Sequence, residues 1–259
     1  MSREIQQSLY NTYKGSAKTM DTIKFNKKNV KIIAHRGLSG IECENTNAAF
    51  VAAGNRSYFG IETDVHITAD GKFAIIHDDT TARVSPGSEL NVEESTLEDL
   101  RKLSLCTYDA DKNRSDLVIP ELFEYISICK KYNKIAVLEL KNGMPEDGIK
   151  AIYNVIKEYD YADNTIIISF DWDNLIKLKN IDSNANAQFL TCQYDEELIE
   201  KLDTNHLDLD ILHTAVTKEL VDKLHQLGLK INCWTCDNAD DAEKLVELGV
   251  DFITSNILE

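Results

Sequence analysis

From residue 30 onward, short β-rich apolar runs alternate with segments of helical pattern. The strand candidates are 30–34, 61–67, 73–77, 135–140, 165–169, 187–191, 208–212, 230–235 and 250–254. Alternation of this kind builds a parallel sheet with helices outside it. Eight strand–helix units in about 250 residues match a TIM (β/α)8 barrel. Nine runs is one too many, and the spacing identifies the extra one. Only Thr68–Lys72 separates 61–67 from 73–77, whereas a parallel crossover takes roughly a dozen residues. The segment 61–77 is therefore expected to be an antiparallel β-hairpin turning at Asp70-Gly71. Folding it about that turn would bring His77 back to the level of Glu62.

Helix punctuation fits the same layout. Pro120 suits the first position of a helix through Glu121–Tyr132, and Pro145 opens Glu146–Tyr159. Thr217–Leu227 and Ala239–Leu248 each stop at a glycine, Gly228 and Gly249. Thr96 with Asp99 approximates a capping box for Leu97–Leu103. The expected organisation is an N-terminal arm over residues 1–29, packed under a single barrel domain over 30–259. Residues 78–119, rich in Asp, Glu, Ser and Thr, read as a polar, partly helical insertion too poor in apolar residues for a core of its own.

Charge narrows the function classes. Twenty-eight basic against 44 acidic residues leave a formal charge of −16, a field that repels nucleic acid and anionic membrane surfaces. It also repels phosphate esters, so a phosphate enzyme of this composition needs local cations or a bound metal. No apolar run is long enough to span a bilayer, and the polar N-terminus lacks a secretory apolar region. A cytoplasmic protein without stable membrane insertion is expected. The six cysteines do not form a disulfide framework. Cys233 and Cys236 fall in a strand-like stretch, where residues three apart point to opposite faces, so they are read as ordinary strand cysteines.

Several strand ends carry chemistry. Residues 33–36 read Ile-Ala-His-Arg; Glu62-Thr63-Asp64, His77-Asp78 and Glu139-Leu140-Lys141 follow. Glu62 and Asp64, two apart on a strand, share a face. Buried carboxylates need a partner, and any one of these could pair with a Lys or Arg. Three at strand ends fit better a hard divalent cation with oxygen ligands, Mg²⁺ or Ca²⁺. A lone strand histidine is usually a satisfied core residue. Two of them near the expected metal, His35 and His77, could work as base and acid around phosphorus. Arg36 and Lys141 would hold phosphate oxygens. His66 shares the face of Glu62 and Asp64 and is an outer candidate.

These residues resemble the glycerophosphodiester phosphodiesterase family over nearly the whole chain after residue 30. The matching pieces are Ala34-His35-Arg36-Gly37, Glu44-Asn45-Thr46 leading into Ala49-Phe50, Gly60–Val65, Asp70-Gly71 and His77-Asp78. Further on come Ile119–Leu122, Glu139–Lys141, Ser169-Phe170, Trp234-Thr235 and Gly249–Thr254. The resemblance implies a TIM barrel with an insertion. It implies His35 and His77 as the acid–base pair, and Glu62, Asp64 and Glu139 as ligands of a divalent cation. Arg36 and Lys141 would contact phosphate, and Phe170 and Trp234 would line the glycerol side. The reaction implied is hydrolysis of glycerophosphodiesters, small-molecule substrates, to glycerol 3-phosphate and an alcohol. The chain departs from the family with Cys43 where proline is usual and Ser255-Asn256 where Asp is common. It also carries a reordered Thr80-Thr81-Ala82-Arg83 after His-Asp.

Three rival readings carry less. A phosphodiesterase acting on lysophospholipids or phosphoinositides would want an apolar rim or a basic patch. A non-catalytic phosphodiester-binding barrel would have no need of both histidines. A sugar-processing barrel with paired carboxylates has no use for the histidines or the Arg36/Lys141 pair.

Overall fold

The computed structural model describes residues 21–105 and 114–259. The chain runs through β1 (Lys31–Ala34), α1 (Asn47–Gly54), β2 (Gly60–Ile67), β3 (Phe73–Ile75), α2 (Leu97–Arg101) and α3 (Leu122–Tyr132). Then follow β4 (Ile135–Leu140), α4 (Glu146–Glu158), β5 (Thr165–Ser169), α5 (Trp172–Ile181), β6 (Asn186–Thr191) and α6 (Glu196–Asn205). The last elements are β7 (Asp208–Leu212), α7 (Lys218–Gln226), β8 (Ile231–Trp234), α8 (Ala239–Leu248) and β9 (Phe252–Ser255). Neighbouring strands pair in parallel in the order β1-β9-β8-β7-β6-β5-β4-β2, and β1–β2 pairing closes the ring. This is an eight-stranded parallel barrel with helices between its strands.

The ninth strand is the hairpin. β3 pairs antiparallel with β2 through Val65–Ile75, His66–Ala74 and Ile67–Phe73, and Gly71 takes φ +69° in the turn. β3 stops at Ile75, two residues earlier than the apolar run. Pairing persists one step further, as Ile76 N–H donates to Asp64 C=O at 3.1 Å. Extending this register sets His77 level with Thr63, one residue away from the expected Glu62.

Side-chain alternation makes two layers. Ile61 and Val65 face outward into the large cluster packed by the helices, while Ile33, Val137, Ile168, Leu190 and Phe252 form a small apolar cluster inside the barrel. Glu62 pairs with Val137 and Asp64 with Glu139. Paired residues share a face, so all three carboxylates point into the barrel. Part of the interior is polar: Asn232 Nδ2 donates to Asp210 Oδ2 at 3.0 Å and reaches Gln188 Oε1 at 3.3 Å. Burial pushes the Asp210 carboxyl well above its ordinary range.

Several local expectations need correction. Pro120 lies one residue before the cap of α3 rather than at its first position. The cap is Glu121, which forms a capping box with Glu124. Pro145, by contrast, opens α4 as expected, standing as its cap. Thr96 Oγ1 accepts from Asp99 N–H, but the Asp99 carboxylate takes the Thr96 hydroxyl instead of closing a capping box. Cys236 lies past the end of β8. It and Cys233 are buried free thiols, reaching the carbonyls of Asn238 and Phe252 respectively. The insertion is less polar inside than its composition suggests. Val84, Val92, Leu97, Leu100, Leu105, Leu117 and Ile119 form a buried cluster with Ala74 and Ile76 of the hairpin. The insertion therefore supplies most of a small cluster of its own, contrary to the expectation from its composition, and the hairpin completes it with Ala74 and Ile76.

Residues 1–20 of the expected arm lie outside the described residues. Its last part packs against the end of the chain, with Ile23 bridging Leu258 and Thr22 Oγ1 donating to Glu259 Oε2 at 2.7 Å. Among the described residues, no helix is long and apolar enough to cross a membrane.

Candidate active site

Three oxygens, one each from Glu62, Asp64 and Glu139, lie within 4.8 Å of one another. The side chains are buried, and their electrostatics are uneven. Burial, then the Asp64 charge, push Glu62 well above the ordinary carboxylate range. Burial pushes Glu139 up to about 7, against the pull of Lys141. Asp64 is also buried, but Lys141, His77 and Arg36 together hold it well below its ordinary value. Asp64 Oδ1 has no hydrogen-bond partner although it is buried. A buried carboxylate oxygen that accepts no hydrogen bond is costly, even with the Lys141 ammonium 3.4 Å away. Crowding acids around such an atom suits an oxygen-coordinated divalent cation, so these residues fit the metal that the sequence implies.

Each carboxylate is also anchored from outside the cluster. Glu62 Oε2 accepts the Arg36 backbone N–H at 2.7 Å, and Asp64 Oδ2 accepts Asn45 Nδ2 at 2.8 Å. Asn45 Oδ1 in turn accepts Thr63 Oγ1 at 2.7 Å, which fixes the amide's orientation. Glu139 Oε1 accepts Lys141 Nζ at 2.8 Å. The loop carrying Arg36 and Asn45 is tightly built. Both take positive φ, and a Cβ on Gly37 (φ +74°) would come within 2.7 Å of the Ala49 backbone. Thr46 then caps α1 by accepting Ala49 N–H.

The histidines flank the carboxylates. His35 Nε2 stands 3.9 Å from Glu62 Oε2, and its Nδ1 is 2.7 Å from Asn256 Oδ1. His77 Nδ1 donates to Asp78 Oδ1 at 2.6 Å. Burial, followed by the nearby Arg36 cation, lowers both rings, His35 to about 4. The cations behave unequally. Lys141 lies on Glu139 and 3.4 Å from Asp64 Oδ1. The Arg36 guanidinium donates to Glu44 Oε1 at 2.8 Å. Phe170 is 47% exposed and meets the Trp234 ring edge-on, with centroids 5.5 Å apart. His66 is fully buried and lies apart from the carboxylate cluster. Its Nδ1 binds Glu93 of the insertion at 2.9 Å, a partner that could not be foreseen from the strand pattern.

Four further residues, quoted in the sequence motifs, had been given no role there. Arg83 donates in a two-pronged manner to Glu44 (2.6 and 2.8 Å) and to Asp78 (2.7 and 3.0 Å). It thereby ties the Arg36 loop to the carboxylate behind His77. Glu44 and Asn45 were visible as a polar pair just before an apolar helix, but only the contacts reveal their work. Asp78 was visible beside His77 and carried no assigned role.

Comparison with known proteins places the chain in a family. The chain matches the Glycerophosphoryl diester phosphodiesterase family over residues 35–258. It is 32% identical over 228 residues to a glycerophosphodiester phosphodiesterase of Caldanaerobacter subterraneus, covering 87% of this chain and 93% of that protein. It is 28% identical to one from Bacillus altitudinis, covering 86% and 93% respectively. Among solved structures it is similar to an Oleispira antarctica phosphodiesterase in complex with the product sn-glycerol-3-phosphate. That match has a TM-score of 0.81 and 25% identity, and covers 90% of this chain and 96% of that one.

Proposed function

This chain belongs to the glycerophosphoryl diester phosphodiesterase family, and from that premise we propose that it hydrolyses glycerophosphodiesters to glycerol 3-phosphate and a free alcohol. The observation that carries this reading is the buried cluster of Glu62, Asp64 and Glu139, with His35 3.9 Å from Glu62 and His77 near enough to act on the Asp64 charge. The three carboxylates would hold a divalent cation, Mg²⁺ or Ca²⁺. Bound there, it would polarise a phosphoryl oxygen and acidify a coordinated hydroxyl.

The chain's own groups do the rest. Nδ1 of each histidine is engaged by an oxygen, Asn256 Oδ1 for His35 and Asp78 Oδ1 for His77, which leaves each Nε2 for proton transfer. One ring takes the proton from the attacking hydroxyl, either the glycerol 2-hydroxyl or a water. The other ring delivers a proton to the departing alcohol. Arg36 and Lys141 supply positive charge to phosphate oxygens in a chain of net charge −16. Phe170, half exposed over Trp234, offers an apolar face to the glycerol carbons.

The test is glycerol 3-phosphate release from a panel of glycerophosphodiesters with different alcohols. It is run on wild type and His35→Ala, with chelator and then with Mg²⁺ or Ca²⁺ restored. Metal-restored turnover that disappears in the variant supports the reading. A metal-loaded, folded wild type that releases nothing from any member overturns it.

A further inference from the structure

Asn256 lies just past β9, where the chain turns over the barrel end beside His35. Its Oδ1 is 2.7 Å from His35 Nδ1 and also 2.7 Å from Ser39 Oγ. On its other side Nδ2 is 2.7 Å from Asp237 Oδ2. Asp237 Oδ1 accepts both the Asn256 backbone N–H (2.7 Å) and Ser255 Oγ (2.8 Å).

The donor inventory resolves this chain of contacts. A carboxylate only accepts, so the Asn256 atom facing Asp237 must be the amide nitrogen. The atom facing His35 is then the amide oxygen, which also only accepts. The proton between Asn256 and His35 must therefore sit on His35 Nδ1. Ser39 does not impose this, because its hydroxyl could instead donate to the His35 carbonyl, 2.7 Å away, and accept from an amide. The orientation originates at Asp237 alone.

We infer that Asn256, oriented by Asp237, is a positioning residue that holds neutral His35 in its Nδ1–H form and keeps the Nε2 lone pair beside the carboxylate cluster. The inference rests on the proposed hydrolysis for His35's part in catalysis, but the tautomer can be read without it. The other tautomer would place a proton on Nε2 and remove the acceptor that proton transfer needs. His77 reaches the same form by a different route, through a carboxylate that contacts its ring directly.

Asp237→Asn is a near-isosteric test. The Oδ1 position remains an acceptor for its two donors, so an NH₂ group takes the place of Oδ2 and meets the Asn256 NH₂. Asn256 must then turn over, present its nitrogen to His35, and drive the ring to Nε2–H. The experiment records imidazole ¹⁵N shifts of histidine-labelled full-length protein with Mg²⁺ or Ca²⁺. It is done at about pH 8, above the ordinary histidine range, with His35 assigned by its loss in His35→Gln. The expected result is an Nδ1–H ring in wild type and an Nε2–H ring in Asp237→Asn. In that variant kcat should fall about a hundredfold with KM changed less than about twofold. A wild-type His35 protonated on Nε2 overturns the inference without any variant, so a misfolded Asp237→Asn leaves it still testable. An unchanged tautomer in folded Asp237→Asn overturns it as well. Failure of hydrolysis itself shows separately, as absent turnover in wild type.

Discussion

His35 and His77 reach the same stretch of β2 from opposite ends. β1 pairs with β2 up to Ala34–Ile61, so His35 emerges level with Glu62. β3 pairs along the same edge in the reverse direction, so His77 arrives level with Thr63. The antiparallel hairpin delivers a second histidine to an edge already used by the first.

This convergence predicts that neither ring substitutes for the other. His35→Ala and His77→Ala should each lower kcat about 10²- to 10⁴-fold, and the double variant should cost far less than the product of the two. Steady-state release of glycerol 3-phosphate measures all three. Full additivity would show that the rings act independently.

Asn45 is expected to matter through Asp64, which it holds at 2.8 Å. Asn45→Ala should weaken divalent-cation affinity about 10- to 100-fold, the usual cost of losing an outer partner of a metal ligand. Titration calorimetry with Mg²⁺ or Ca²⁺ reads this directly. Unchanged affinity would mean that Asp64 keeps its position without the amide.

Glu44 is the buried link between Arg36 and Arg83. Burial works against its charge, but the two guanidinium groups hold its carboxyl far below the ordinary range. Glu44→Ala leaves Arg36 buried without this anion and should cost about 3–5 kcal/mol of stability. Urea denaturation tests it, with Arg83→Lys as a milder companion that keeps charge but loses the two-pronged grip.

Acid stability should depend on Glu259. Burial works against its charge, but Lys24, Thr22 and Ser57 lower its carboxyl to about 2, against an ordinary 4.5. A folded-state value below the unfolded one means the unfolded chain binds more protons between those values. The stabilisation is therefore complete above about pH 4.5 and is lost as pH falls toward about 2. Glu259→Gln should lower the melting temperature at pH 7 and flatten its decline with acid. Parallel melting curves for variant and wild type across that range would contradict the linkage.

What the sequence determined and what tertiary structure decided divide along a physical line. Short β-rich apolar runs located the barrel strands within a residue or two, because the composition of a run is a local property of the chain. The five-residue gap at Thr68–Lys72 fixed the antiparallel hairpin, because chain reach admits no crossover there. Two-apart spacing put Glu62 and Asp64 on one face before any neighbour was known. Partnerships across the chain were not legible in this way. Arg83 on Glu44 and Asp78, Glu93 on His66, and Asp237 on Asn256 join residues from different loops, and no local pattern encodes which loops meet. The apolar cluster of the insertion was hidden for the same reason, since its scattered residues gather only when they close over Ala74 and Ile76 of the hairpin. Strand ends told where chemistry could gather, and His77 meets the carboxylate of its own neighbour Asp78; only the closed barrel, which brings distant loops to one rim, decided that His35 would face Asn256.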